Sequence, residues 1–126
     1  MAWLVDNMQW ILLGSGLLTF SMIQAVFAPR ATMRAYFGET VESPASVLIT
    51  RNWGALIAAG GLLLIYVAFY PEARSVALVF VGAGKLVFIA LVLSKGQAFL
   101  RKQAGLAVVL DSLMVALFAA YLLATR

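Results

Sequence analysis

The apolar residues of this chain fall into four long runs separated by short polar stretches. The runs cover about residues 7–28, 50–70, 73–94 and 103–125. A helix that crosses a bilayer needs about 20 mainly apolar residues, and each run supplies them. The pattern predicts an all-α protein, a four-transmembrane-helix antiparallel bundle forming a single integral membrane domain over residues 1–126. No Lys or Arg precedes the first run, and its apolar stretch is too long for a secretory signal, so it reads as a span.

Local punctuation fits these boundaries. Pro29 closes the first helix. Ser43-Pro44 reads as an N-cap followed by proline at the first helical position, so the second helix is expected to begin near Pro44, ahead of its apolar part. Pro71 opens the third helix in the same way, with Glu72 at its positive end. Gly96 suits a left-handed stop after it. Short second and third connections make neighbouring helices antiparallel partners. The connection over residues 29–47 is the long one. Its Arg30, Ala31, Met33, Arg34, Tyr36 and Phe37 fit either a short helix in the headgroup layer or a surface loop.

Composition narrows the chemistry. Hydrophobic residues make up 64% of the chain and charged residues 11%, against about 25% charged in soluble domains. Mean hydropathy is +1.02. With His 0 and Cys 0, the chain has no imidazole base, no thiolate nucleophile and no histidine or thiolate ligand for zinc, haem or an iron–sulfur cluster. No cofactor or metal is expected.

The net charge of +4 is a topology signal and gives no reason to expect nucleic acid. Arg30, Arg34, Arg51, Lys95, Arg101 and Lys102 lie on the side of the first and third connections; Arg74 and Arg126 lie on the side of the termini. Basic loops stay cytoplasmic, so both termini are expected on the non-cytoplasmic side. Such a bias also argues against dual insertion.

Two charges fall inside predicted spans. Lys85 is near the middle of the third helix and Asp111 well inside the fourth, almost equally far from their connection. At 1.5 Å rise per residue they reach nearly the same depth, which predicts an interhelical ion pair. Intramembrane charges mark relays and ligand contacts. They also serve as structural pins, since removing one partner strands the other. The pin is the preferred reading, because a level lysine leaves Asp111 poorly placed for the binding and release that transporters require.

Arg51 begins a stripe with Gly54, Ala58 and Gly61, flanked by Ala55, Ala59 and Gly60. Small residues mark close helix contact in membranes. Arg51 is therefore expected to point into the bundle near the cytoplasmic boundary. Glu39, Glu42, Gln24 and a lipid phosphate are its candidate partners. Gln24 and Arg51 are accordingly lipid or anion contact candidates. On the first helix, Asn7, Gly14, Ser21 and Gln24 form a thin polar stripe, with Gly14 expected at a packing contact. Trp3, Trp10, Trp53, Tyr66, Tyr70 and Tyr121 fall near span ends, as interfacial belts do; quinone stacking on Trp10 or Trp53 is the less favoured use.

Small multidrug transporters carry a glutamate within their first helix, where this chain has Gly14-Ser15-Gly16. Fluoride channels have a phenylalanine box and a polar break unlike Gly82-Ala83-Gly84-Lys85. Arg51-Asn52-Trp53-Gly54, then Gly60-Gly61-Leu62, with the short Pro71–Arg74 connection and the lone Asp111, resembles the small bacterial DoxX-like four-helix membrane proteins. That resemblance implies a fold and a bacterial inner membrane more than an activity. Some members are linked to thiol or respiratory chemistry, and a direct thiol role does not carry over to a chain without cysteine.

Three functions compete. The first is a non-enzymatic accessory or scaffold subunit of a larger membrane assembly, contacting membrane lipids and other membrane proteins or itself. It predicts small residues on the lipid-facing surface that the monomer leaves unused. The second is a small transporter or channel using Lys85, Asp111 and Gln24. The third is a binding protein or enzyme for a lipid or other lipophilic molecule, with Arg51 as anion contact. The first is preferred.

Overall fold

A computed structural model describes residues 2–126. Among them every regular element is helical. Helix α1 covers Ala2–Asp6 and α2 Met8–Phe20. A 3-10 turn at Ser21–Ile23 leads into α3, Gln24–Phe27. Then come α4 (Pro29–Phe37), α5 (Pro44–Phe69), a 3-10 turn at Pro71–Ala73, α6 (Arg74–Leu93) and α7 (Gln103–Ala124). Four stretches are long and apolar enough to cross a membrane: Met8–Phe27, Pro44–Phe69, Pro71–Leu93 and Gln103–Ala124.

Local chemistry sets the joints. In the first span the Ser21 hydroxyl donates to the Leu18 carbonyl, where the helix tightens to 3-10 for one turn. The span breaks at Ala28 (φ −136°, ψ 64°), because the following Pro29 disfavours helical geometry in the residue before it. The connection is a helix rather than a loop: α4 starts with Pro29 and stops at Gly38, whose φ of 71° suits a residue without Cβ and whose amide donates to the Arg34 carbonyl. Ser43 Oγ accepts from the Ser46 amide at 3.1 Å and caps α5. The 26 residues of α5 span about 39 Å, more than the hydrocarbon core of about 30 Å.

The first and second spans pack backbone to backbone. A Cβ on Gly16 would come within 2.8 Å of the Gly61 carbonyl, and one on Gly61 within 2.6 Å of the Gly16 carbonyl. One on Gly54 would meet the Met22 carbonyl at 2.7 Å. Such close approach maximises dispersion contact where lipid provides no hydrophobic drive between helices. Helices α6 and α7 form the other close pair. Met8, Leu12, Leu64, Leu78 and Phe118 fill the core between the pairs. A second cluster, Val92, Ala104 and Val108, is covered by Tyr36 and Phe37 from α4 and by Phe88 and Phe99. Large apolar side chains such as Leu17, Leu56, Phe80 and Leu113 face outward, the exterior expected of a chain solvated by lipid.

Candidate functional site

The interior polar cluster centres on Lys85. Its Nζ lies 2.9 Å from Asp111 Oδ1 and donates a second hydrogen bond to Thr19 Oγ1 at 3.1 Å. The Thr19 hydroxyl donates onward to the Met114 sulfur at 3.9 Å. Lys85 is 8% exposed and Asp111 17%. Helices α2, α6 and α7 each contribute one polar member, so the cluster ties the first span to the third and fourth. This is the one ion pair among the described residues.

Thr19 escapes the sequence reading. The buried face of α2 is Met8, Leu12, Ser15, Gly16 and Thr19, whereas the polar stripe picked from sequence follows Asn7, Gly14, Ser21 and Gln24. The heptad-like spacing of Met8, Leu12, Ser15, Thr19 and Met22 was the available signal, but in a helix apolar all round it competes with several others. Consequently the packing contact expected of Gly14 does not form. Gly14 is exposed, and a Cβ added there would meet nothing within 4 Å. Gly16, one register along, makes the close approach. Gln24 is also exposed and makes no hydrogen bond through its side chain among the described residues. On α5, Gly54, Ala58 and Gly61 are buried.

Arg51 is exposed instead of pointing into the bundle. Gly54, three residues on, is the residue that presses against Met22 and Ala25. Arg51 pairs with neither Glu39 nor Glu42 among the described residues. With Arg30, Val26, Phe27, Pro29 and Val47 it lines a cleft of about 320 Å³ where the first span breaks and α5 begins.

Trp53 is not a free-standing belt residue. Its ring packs edge-on to Tyr36 with centroids 6.0 Å apart and lies 6.1 Å from Phe37, which meets Phe99 edge-on at 5.0 Å. Phe37, Trp53 and Phe99 border an apolar cleft of about 240 Å³ with Phe88, Leu91, Val92 and Lys95. Burial, and after it the Asp111 carboxylate, push the Tyr36 phenol above its usual range. Both act against the phenolate.

Arg74 carries more than a topology signal. It is 8% exposed. Its Nε donates to the Val67 carbonyl at 2.7 Å, Nη2 to the Ala68 carbonyl at 2.8 Å and Nη1 to Tyr121 Oη at 3.2 Å. Its guanidinium carbon also sits 5.7 Å from the Tyr121 ring centroid. A helix leaves its last carbonyls without intrahelical donors, and Pro71 ends α5. Arg74 fills two of those vacancies and places positive charge at the negative end of the helix.

No protein-family model, curated protein or solved structure matches the chain.

Proposed function

We propose that the protein is a non-enzymatic accessory or scaffold subunit of a larger membrane assembly. It would act as an antiparallel four-span bundle in a bacterial inner membrane, with both termini on the non-cytoplasmic side. The basic first and third connections support the sidedness, and the DoxX-like layout supports the membrane assignment.

The observation that carries this reading is the pair of outward glycines, Gly14 and Gly84. Each is exposed within a span, and a Cβ on either would meet nothing within 4 Å. Glycine costs a helix about 1 kcal/mol relative to alanine, and neither position recovers that cost inside the chain. Outward small residues instead suit the close approach of a helix from another subunit. Meanwhile Lys85, the buried amine of the interior, already holds two internal acceptors, as a structural pin does.

The test is native mass spectrometry of the protein gently extracted from its own membrane. Partner proteins at fixed stoichiometry are expected. Gly14→Leu and Gly84→Leu should release them while leaving the monomer folded, because the space around both positions is open. Unchanged co-purification of both variants, or a chain that leaves its membrane with no protein partner, would overturn the subunit reading.

A further inference from the structure

We propose that Arg30 and Arg51 form a binding site for the phosphate of an anionic phospholipid. Both residues are exposed and line the cleft where the first span ends and α5 begins. Neither has a carboxylate or hydrogen-bond partner among the described residues. Glu39 and Glu42, the acids of this connection, are exposed and stand outside the cleft. Two guanidinium forks carried by residues that line one cleft supply a donor set that fits the oxygens of a phosphate.

The backbone adds to this field. The cleft includes Pro29, the first residue of the nine-residue α4, and no side chain caps that helix. The Thr32 amide donates to the Ala28 carbonyl. The amides of Arg30 and Ala31, which precede Thr32, have no partner within the helix. They stand at its positive end. The cleft volume of about 320 Å³ accommodates a headgroup phosphate.

What surrounds the arginines favours a lipid over free phosphate. Phe27, which lines the cleft at the end of the first span, is 80% exposed, and Val26 beside it is half-buried. A phosphate held at the arginines can thus lay its acyl chains against the Val26 and Phe27 side chains, which a free ion does not use. Charge selects among lipids: two cations without an internal counter-charge favour a headgroup of net negative charge over a zwitterionic one. The outward glycine Gly14 is about 18 Å from this cleft along the first span, so this site and the subunit reading stand or fall separately.

The experiment is a lipid titration of the full chain in detergent, read by native mass spectrometry. Phosphatidylglycerol, phosphatidylcholine and inorganic phosphate are the probes. One phosphatidylglycerol should bind at least about tenfold more tightly than phosphatidylcholine, and Arg30→Gln and Arg51→Gln should each weaken it by about tenfold or more. Arg51→Lys, which keeps the charge and loses the fork, should fall between. Both arginines are exposed and unbonded, so far-ultraviolet circular dichroism of these variants should match the parent. Arg34→Gln removes an equal charge from α4 outside the cleft and should leave the affinity unchanged. Equal weakening by Arg34→Gln would mean diffuse surface attraction, and would overturn the site. Equal binding of the two lipids, or displacement of phosphatidylglycerol by an equal concentration of inorganic phosphate, would overturn the lipid assignment.

Discussion

The Lys85 ammonium and the Asp111 carboxylate meet at 2.9 Å inside the helix bundle, one on α6 and the other on α7. Removing one member of such a buried pair strands the other charge, at a cost of about 3–5 kcal/mol, whereas replacing both with apolar residues is often close to neutral. Lys85→Met and Asp111→Leu should each destabilise strongly. The double variant should recover most of the loss. Reversible unfolding in mixed micelles measures this cycle, and a double variant as unstable as the sum of the singles would refute the pin.

Thr19 is the second acceptor for Lys85. Thr19→Val keeps the shape of the side chain and removes its oxygen. The expected loss is about 1.5–3 kcal/mol, the cost of a hydrogen bond to a charged group. Thr19→Ser, retaining the hydroxyl, should lose less. The same unfolding assay separates them, and equal losses would assign the effect to the methyl group.

Arg74 satisfies two carbonyls at the end of α5 and the Tyr121 hydroxyl. Arg74→Met should cost on the order of 3 kcal/mol by leaving buried acceptors unpaired. Arg74→Lys should restore only part of this, since a point charge cannot replace the fork. Amide exchange over the last turn of α5 should accelerate in Arg74→Met first. Exchange unchanged there would remove Arg74 from the capping role.

Glycine position decides the sign of an alanine substitution. Gly61→Ala puts a Cβ within 2.6 Å of the Gly16 carbonyl and into the Phe20 backbone; forcing the helices apart should cost about 1–3 kcal/mol. Gly14→Ala meets nothing within 4 Å and should stabilise the isolated chain by up to about 1 kcal/mol. Thermal unfolding of the two variants in detergent distinguishes the faces. A destabilised Gly14→Ala would show that this surface is not free.

Tyr36 should make stability fall at alkaline pH. Burial and then Asp111 raise its phenol above the ordinary value of 10.0. The unfolded chain therefore loses this proton at lower pH than the folded one. The stabilisation is complete below the unfolded value and is lost as pH rises through the folded one. Unfolding measured from about pH 8 to pH 11 should show that loss, and Tyr36→Phe should reduce it. An identical alkaline slope in the variant would rule Tyr36 out as its source.

Four apolar runs, the proline and serine signals at helix starts and the level placement of Lys85 and Asp111 are one-dimensional facts. Helix length and rise convert them directly into spans and depths, so the sequence by itself determined the helical class, the start of α5 at Pro44 and the depth match of the two charges. It could not determine rotation. In helices that are apolar nearly all round, no hydrophobic face distinguishes inside from outside, because lipid and protein interior have similar polarity. Only tertiary packing decided that Gly16 and Thr19 face inward while Gly14 and Gln24 face out. Packing also decided that Gly54 takes the contact and turns Arg51 toward the cleft it shares with Arg30. The capping of α5 by Arg74 is likewise tertiary: a basic residue in a short connection reads as a loop charge until the fold brings the Val67 and Ala68 carbonyls to it.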